Sequence, residues 1–168
     1  MFTIISGVGL LLLTLAGFSL FSMKAPKGSE AMSGMANAAI ASFLIEAVHK
    51  YITGDLFNLE FFQTLGSTSG SLGGVAAAIS VPLAMGANPV LAVVAGVAVG
   101  GYGILPGFIA GYAVGLIAPV LERKLPEGLN IIAGALMIAP LARIITILVD
   151  PAVNATLVKI GGTISAAA

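Results

Sequence analysis

Cysteine and tryptophan are absent from this 168-residue chain, histidine occurs once, and charge is scarce: seven basic and seven acidic side chains, 8% of the residues, summing to zero. Each shortage excludes something. Without cysteine there are no disulfides, thiolate metal sites, iron–sulfur clusters or cysteine nucleophiles. A lone histidine, His49, excludes a multi-histidine metal site within one chain. With no basic excess, electrostatic binding of nucleic acid is not expected. A soluble domain is about 45–50% apolar and about 25% charged; at 58% apolar and 8% charged, this chain cannot coat a soluble surface. The expectation is an all-α, polytopic transmembrane helix bundle, one domain over residues 1–168, surrounded by membrane lipid and using no cofactor.

A helix needs about 20 apolar residues to cross roughly 30 Å of hydrocarbon. Phe2–Ser22 meets this. The Met1–Phe21 run has no charged leading segment and exceeds the roughly 7–15 residues of a signal-peptide core, so it reads as a retained span. Lys24, Pro26, Lys27 and Gly28 end it, and Ala31–Ile52 forms a second span. Thr53–Phe62 is too short and mixed to cross; Leu56, Phe57, Leu59, Phe61 and Phe62 suggest an interfacial or re-entrant piece. Gly66–Gly74 (GSTSGSLGG) reads as a flexible polar connector. Val75–Val120 carries no charge, and as one helix would be about 69 Å long, so it must turn. Asn88-Pro89 and the Gly100–Pro106 region offer the turns. The resulting segments Leu72–Gly86, Val90–Leu105 and Gly107–Val120 fall short of an ideal span, which leaves room for broken or re-entrant helices. A charged loop, Glu122 to Glu127, precedes a final span, Leu129–Val149, that Asp150-Pro151 is expected to end; Ala152–Ile164 is weakly amphipathic. About six crossings result. The positive-inside rule then puts Lys24, Lys27, Arg123 and Lys124 on one side, Lys50 and Lys159 on the other, and both chain ends outside.

Four features could carry chemistry. Gly96 and Gly100, and then Gly103, Gly107, Gly111 and Gly115, recur every four residues, baring backbone for close helix packing or, alternatively, for a sliding or pore-lining face. Glu46, His49 and Lys50 share one helix face. Glu46 and His49 are candidate sugar-hydroxyl or proton ligands; the plainer reading is a span end reaching the headgroups, with Glu46 paired to Lys50. Ser67, Thr68 and Ser69, with Ser71, offer hydroxyls among free backbone amides ahead of a helix start; a flexible connector is the alternative. Arg143 lies in mid-span, the costliest placement in the chain, and Asp150 lies about 10 Å further along the same face. Arg143 either meets an anionic substrate or serves structure as an ion pair or at a shifted span boundary. Asn37, Asn88 and Asn154 are further buried-polar candidates.

Catalysis has little support. An intramembrane aspartyl site needs two facing aspartates, and of the two present Asp55 falls in the loop after the second span. Ser69 with His49 would be the only serine–base pairing, and no further motif accompanies it.

Leu105–Leu157 runs through a Gly-rich span, an Arg123–Pro126 basic-Leu-Pro loop, the Ile- and Leu-rich Ile131–Val149, and a proline turn at Pro151 leading into an amphipathic helix. In this it resembles the fructose-type membrane subunit, IIC, of the bacterial phosphoenolpyruvate-dependent sugar phosphotransferase system. Ala31–Ile52 is similar to the same family. The resemblance implies a multi-pass permease of the bacterial inner membrane that binds a sugar or polyol and moves it by alternating access. It is not itself an enzyme, because a soluble IIB-type carrier donates the phosphoryl group. Family units are much longer than 168 residues, so an N-terminal half, or one member of a split pair, is expected. A homo-oligomer or a second membrane half would complete it. The rival readings are a channel or transporter for an ion or organic anion, centred on Arg143, and an accessory subunit whose polar residues are structural.

Overall fold

The computed structural model describes residues 2–126 and 129–167; Glu127 of the charged loop lies outside them. The described residues are helical, with no strand among them. In order come α1 (Phe2–Lys24), α2 (Gly28–Ala39), two π-helical stretches (Ile40–Leu44 and Ala47–Asp55), α3 (Glu60–Ser71), α4 (Gly73–Ala84), α5 (Pro89–Val99), α6 (Ile104–Lys124) and α7 (Asn130–Ala167). Four stretches are long and apolar enough to cross a bilayer: Gly7–Lys24, Gly28–Asp55, Ile104–Lys124 and Ile131–Gly162. Large apolar side chains such as Leu13, Leu136 and Leu148 are exposed along them, as they are where lipid replaces water. The apolar helices α4 and α5, at 12 and 11 residues, rise only about 18 Å and 16 Å. The expectation of six crossings therefore resolves into four full-length spans and two half-length helices.

The glycines show how the pieces align. Along α2 and its π-helical continuation, Gly34 lies on Ser80 and Val81, Ser42 on Gly73, Glu46 on Gly70, Lys50 on Gly66 and Gly54 on Gln63. The register is antiparallel throughout. It makes α3 and α4 two halves of one rod laid against the second span and broken at Leu72, halfway along it. The connector expected at Gly66–Gly74 is thus a helix as far as Ser71. Gly and Ser are poor helix formers, but bare backbone at Gly66 and Gly70 lets α3 press on Lys50 and Glu46, and that packing outweighs propensity. Thr53–Phe62 becomes the bend between the two rods, with Asn58 at φ 53° and Leu59 N–H donating to the Gly54 carbonyl at 2.8 Å.

The helices α4 and α5 form a hairpin through Met85–Asn88. Gly86, at φ 86°, supplies the left-handed residue that ends α4. Asn88 Oδ1 then accepts from Val90 N–H at 2.8 Å, and Pro89 opens α5. The chain turns again at Gly100–Gly103, with Gly101 at φ 89°, and α6 returns parallel to α4. Gly107 sits on Gly74, Gly111 on Ala77 and Ala78, and Gly115 on Met85. Small residues on both helices let their backbones nearly touch. The result encloses one face of α4, with Ala77, Ala78 and Val81 fully buried while Leu83 and Ala84 stay exposed.

Asp150-Pro151 does not end the last span; α7 continues to Ala167 through Pro140 and Pro151. Each proline removes one backbone donor, which a membrane helix tolerates when side chains stitch the turn. Here Asn154 Nδ2 donates to Asp150 Oδ2 at 2.9 Å across Pro151.

Candidate functional site

Three interruptions meet at one level of the bundle: the α3–α4 break, the α5–α6 tip and the first π-helical stretch. They enclose, with α7, a cavity of about 180 Å³. Its wall comprises Phe43, then Gly70, Ser71 and Gly73 at the break, Tyr102 to Pro106 at the tip, and Val153, Asn154 and Leu157 of α7. Two helices begin on it. Leu72 caps α4 and Gly103 caps α6 without any side-chain bond, so their first-turn N–H groups have no partner within the helix. Asn154 lines the cavity from α7: it spends an N–H on Asp150, outside the wall, and keeps its own amide oxygen as an acceptor. Ser71 Oγ donates to the Thr68 carbonyl at 2.8 Å and keeps its lone pairs. The wall is thus mostly apolar, with helix-start N–H groups, the Ser71 hydroxyl and the Asn154 amide oxygen as its polar points.

Arg143 holds the tip. Its Nη1 donates to the carbonyls of Ala98 at 3.2 Å and Gly100 at 3.0 Å, and its guanidinium lies 4.7 Å from the Tyr102 ring centre. Those carbonyls are orphans at the end of α5. The charge therefore acts as a cap, and Asp150 bonds Asn154 rather than Arg143.

Glu46, His49 and Lys50 do come together, on the face covered by α3. Lys50 Nζ lies 3.4 Å from Glu46 Oε1. The His49 ring stacks on Phe62 at 5.5 Å and 13°, and its Nδ1 is buried without a hydrogen-bond partner. Gly70 separates this group from the cavity: a side chain there would overlap the Glu46 carboxylate. Of the α3 hydroxyls, Ser67 and Thr68 are exposed and Ser69 is half-buried, while Asn37 is exposed on α2. None of these four, nor Glu46, His49 or Arg143, lines the cavity.

Tyr102 and Gly103 were not singled out as ligands by sequence, and Asn154 only in passing. The readable signal was the run of helix breakers from Gly100 to Pro106 between two apolar segments. Among the described residues no group of three acidic or histidine side chains could hold a metal ion.

A family model described as phosphotransferase system, EIIC, matches residues 29–168, well beyond the two stretches in which the resemblance was first legible. No curated protein and no solved structure matches the chain.

Proposed function

Because the chain belongs to the phosphotransferase system EIIC family, the membrane component of its sugar transporters, we propose that the cavity at the α3–α4 break is where it binds a sugar or polyol. The observation that carries the reading is the convergence of two interrupted elements on one pocket halfway along the second span. Discontinuous helices that free backbone groups near the midplane are the way many carriers build such sites. A neutral polyhydroxy ligand suits the chemistry. Its hydroxyls donate to Asn154 and accept from the first-turn amides of α4 and α6. Two helix N-termini alone would favour an anion, but the Asp150 carboxylate behind Asn154 opposes one, and Arg143 is committed to α5. At about 180 Å³ the pocket is smaller than the roughly 300 Å³ at which drug-sized ligand sites begin, so the ligand is a single ring or a short polyol.

Glu46 and His49 then act at one remove. Glu46 fixes Gly70, and with it the wall formed by α3; movement of α3 along the second span opens the pocket to one side or the other. A soluble IIB-type carrier phosphorylates the delivered sugar, as the family implies; the half-buried His49 ring is stacked on Phe62. The site is located in the membrane of a bacterial cell, as the family implies, and a second copy or a second membrane half completes the pathway.

The test is equilibrium binding of a panel of labelled monosaccharides and polyols to the purified chain. Asn154→Ala removes one charge-supported hydrogen bond, an expected loss of about tenfold or more in affinity. Ser67→Ala, on the exposed side of α3, leaves affinity unchanged. Equal affinity in Asn154→Ala would move the ligand out of this pocket.

A further inference from the structure

An apolar groove of about 340 Å³ runs between α1 and α6, lined by Thr14, Gly17, Phe18 and Phe21 on one helix and by Phe108 and Tyr112 on the other. The helices are bridged here by ring edges rather than packed backbones. Ring centres lie 6.3 Å apart for Phe18–Phe108, 5.5 Å for Phe21–Phe108 and 4.9 Å for Phe21–Tyr112, all edge to face. Gly17 differs in kind from the glycines of α6. A methyl built on it meets nothing within 4 Å, whereas one at Gly107 or Gly115 would overlap α4. Gly17 packs no neighbour; it deepens an open furrow.

Walls this apolar do not retain water, and at the level of a membrane span a hydrocarbon chain suits them. Thr14, Gly17, Phe21 and Lys24 recur at three- and four-residue steps, so they form one stripe, with Lys24 about 10 Å beyond Gly17 along the axis. Lys24 is exposed and, among the described residues, joins no ion pair. Its neighbour Lys27 is already bound to the Met85 carbonyl. The groove therefore ends at an available ammonium group at the end of a membrane span, where a phosphate headgroup would stand.

We propose that the α1–α6 groove binds one acyl chain of an anionic phospholipid, whose headgroup phosphate pairs with Lys24.

Native mass spectrometry of the detergent-purified chain, with phosphatidylglycerol or phosphatidylcholine added, tests this. The wild type is expected to retain phosphatidylglycerol in preference to phosphatidylcholine. Gly17→Leu fills the furrow and should lower retention at least tenfold, as should Thr14→Leu, which serves if Gly17→Leu fails to fold. Gly9→Leu, also in open space but outside the groove, should change nothing. Lys24→Gln should keep the bound chain yet lose the preference between headgroups. Wild-type retention in both filled variants, an undiminished preference in Lys24→Gln, or a dimer of the chain that Gly17→Leu abolishes while lipid binding stays absent would each overturn the proposal.

Discussion

Arg143 is the residue whose placement is hardest to account for by lipid alone, and its partners account for it. A guanidinium in a span is costly unless its donors are used. This one caps α5 by bonding the Ala98 and Gly100 carbonyls, and it lies over Tyr102 on the cavity wall. Arg143→Gln should therefore lose about 1–3 kcal/mol of stability, measured as a lower midpoint of thermal unfolding in detergent. Sugar affinity should fall with it, because Tyr102 loses its backing, and Arg143→Lys should restore part of both. A Gln variant as stable as wild type would contradict the capping role. The residue was legible in sequence because its cost is local. Its partners were not, because they sit 43 and 45 residues earlier in the chain and carry no side-chain signature. Asp150, seven residues on, looked nearer than it acts. The Glu46–Lys50 pairing was readable because it lies within one helix turn.

The helices that sequence located well are those whose length and hydropathy suffice, such as α1, whereas α6, expected only as the short Gly107–Val120, runs the full span Ile104–Lys124. The broken rod α3–α4 was not legible, because α3 owes its helix to the second span pressed against Gly66 and Gly70 rather than to its own residues. The register can be checked directly. A Cβ built on Gly73 lies 3.6 Å from the Ser42 Cβ, within the roughly 3.5–4.5 Å of a disulfide. In a chain with no other cysteine, the double variant Ser42→Cys/Gly73→Cys should cross-link on mild oxidation, seen as faster migration under non-reducing electrophoresis. Failure to cross-link would mean that the break does not sit at this level. The α4–α6 contact has its own test. Gly107→Ala would push a methyl into the Gly74 backbone and should cost about 1–3 kcal/mol, whereas Gly161→Ala, in open space, should be neutral or stabilising. Equal melting temperatures for the two would remove close backbone packing as the reason for the glycines.

At the scale of the molecule, the fold class and the family were both legible, because a membrane imposes composition and the resemblance lay in spans and the loop between them. The pocket was not, because its walls come from four separated parts of the chain and, apart from Ser71, Tyr102 and Asn154, consist of glycine and apolar residues that look like any other span. The account stands on that pocket being the sugar site. Ser71→Cys places the chain's single thiol on its wall, and the rate of alkylation by a small maleimide reports whether the wall is covered. A sugar that binds the chain should slow alkylation of Ser71→Cys by tenfold or more at saturation while leaving Ser67→Cys, on the exposed side of the same helix, unprotected. Equal rates at Ser71→Cys with and without a bound sugar would contradict the account.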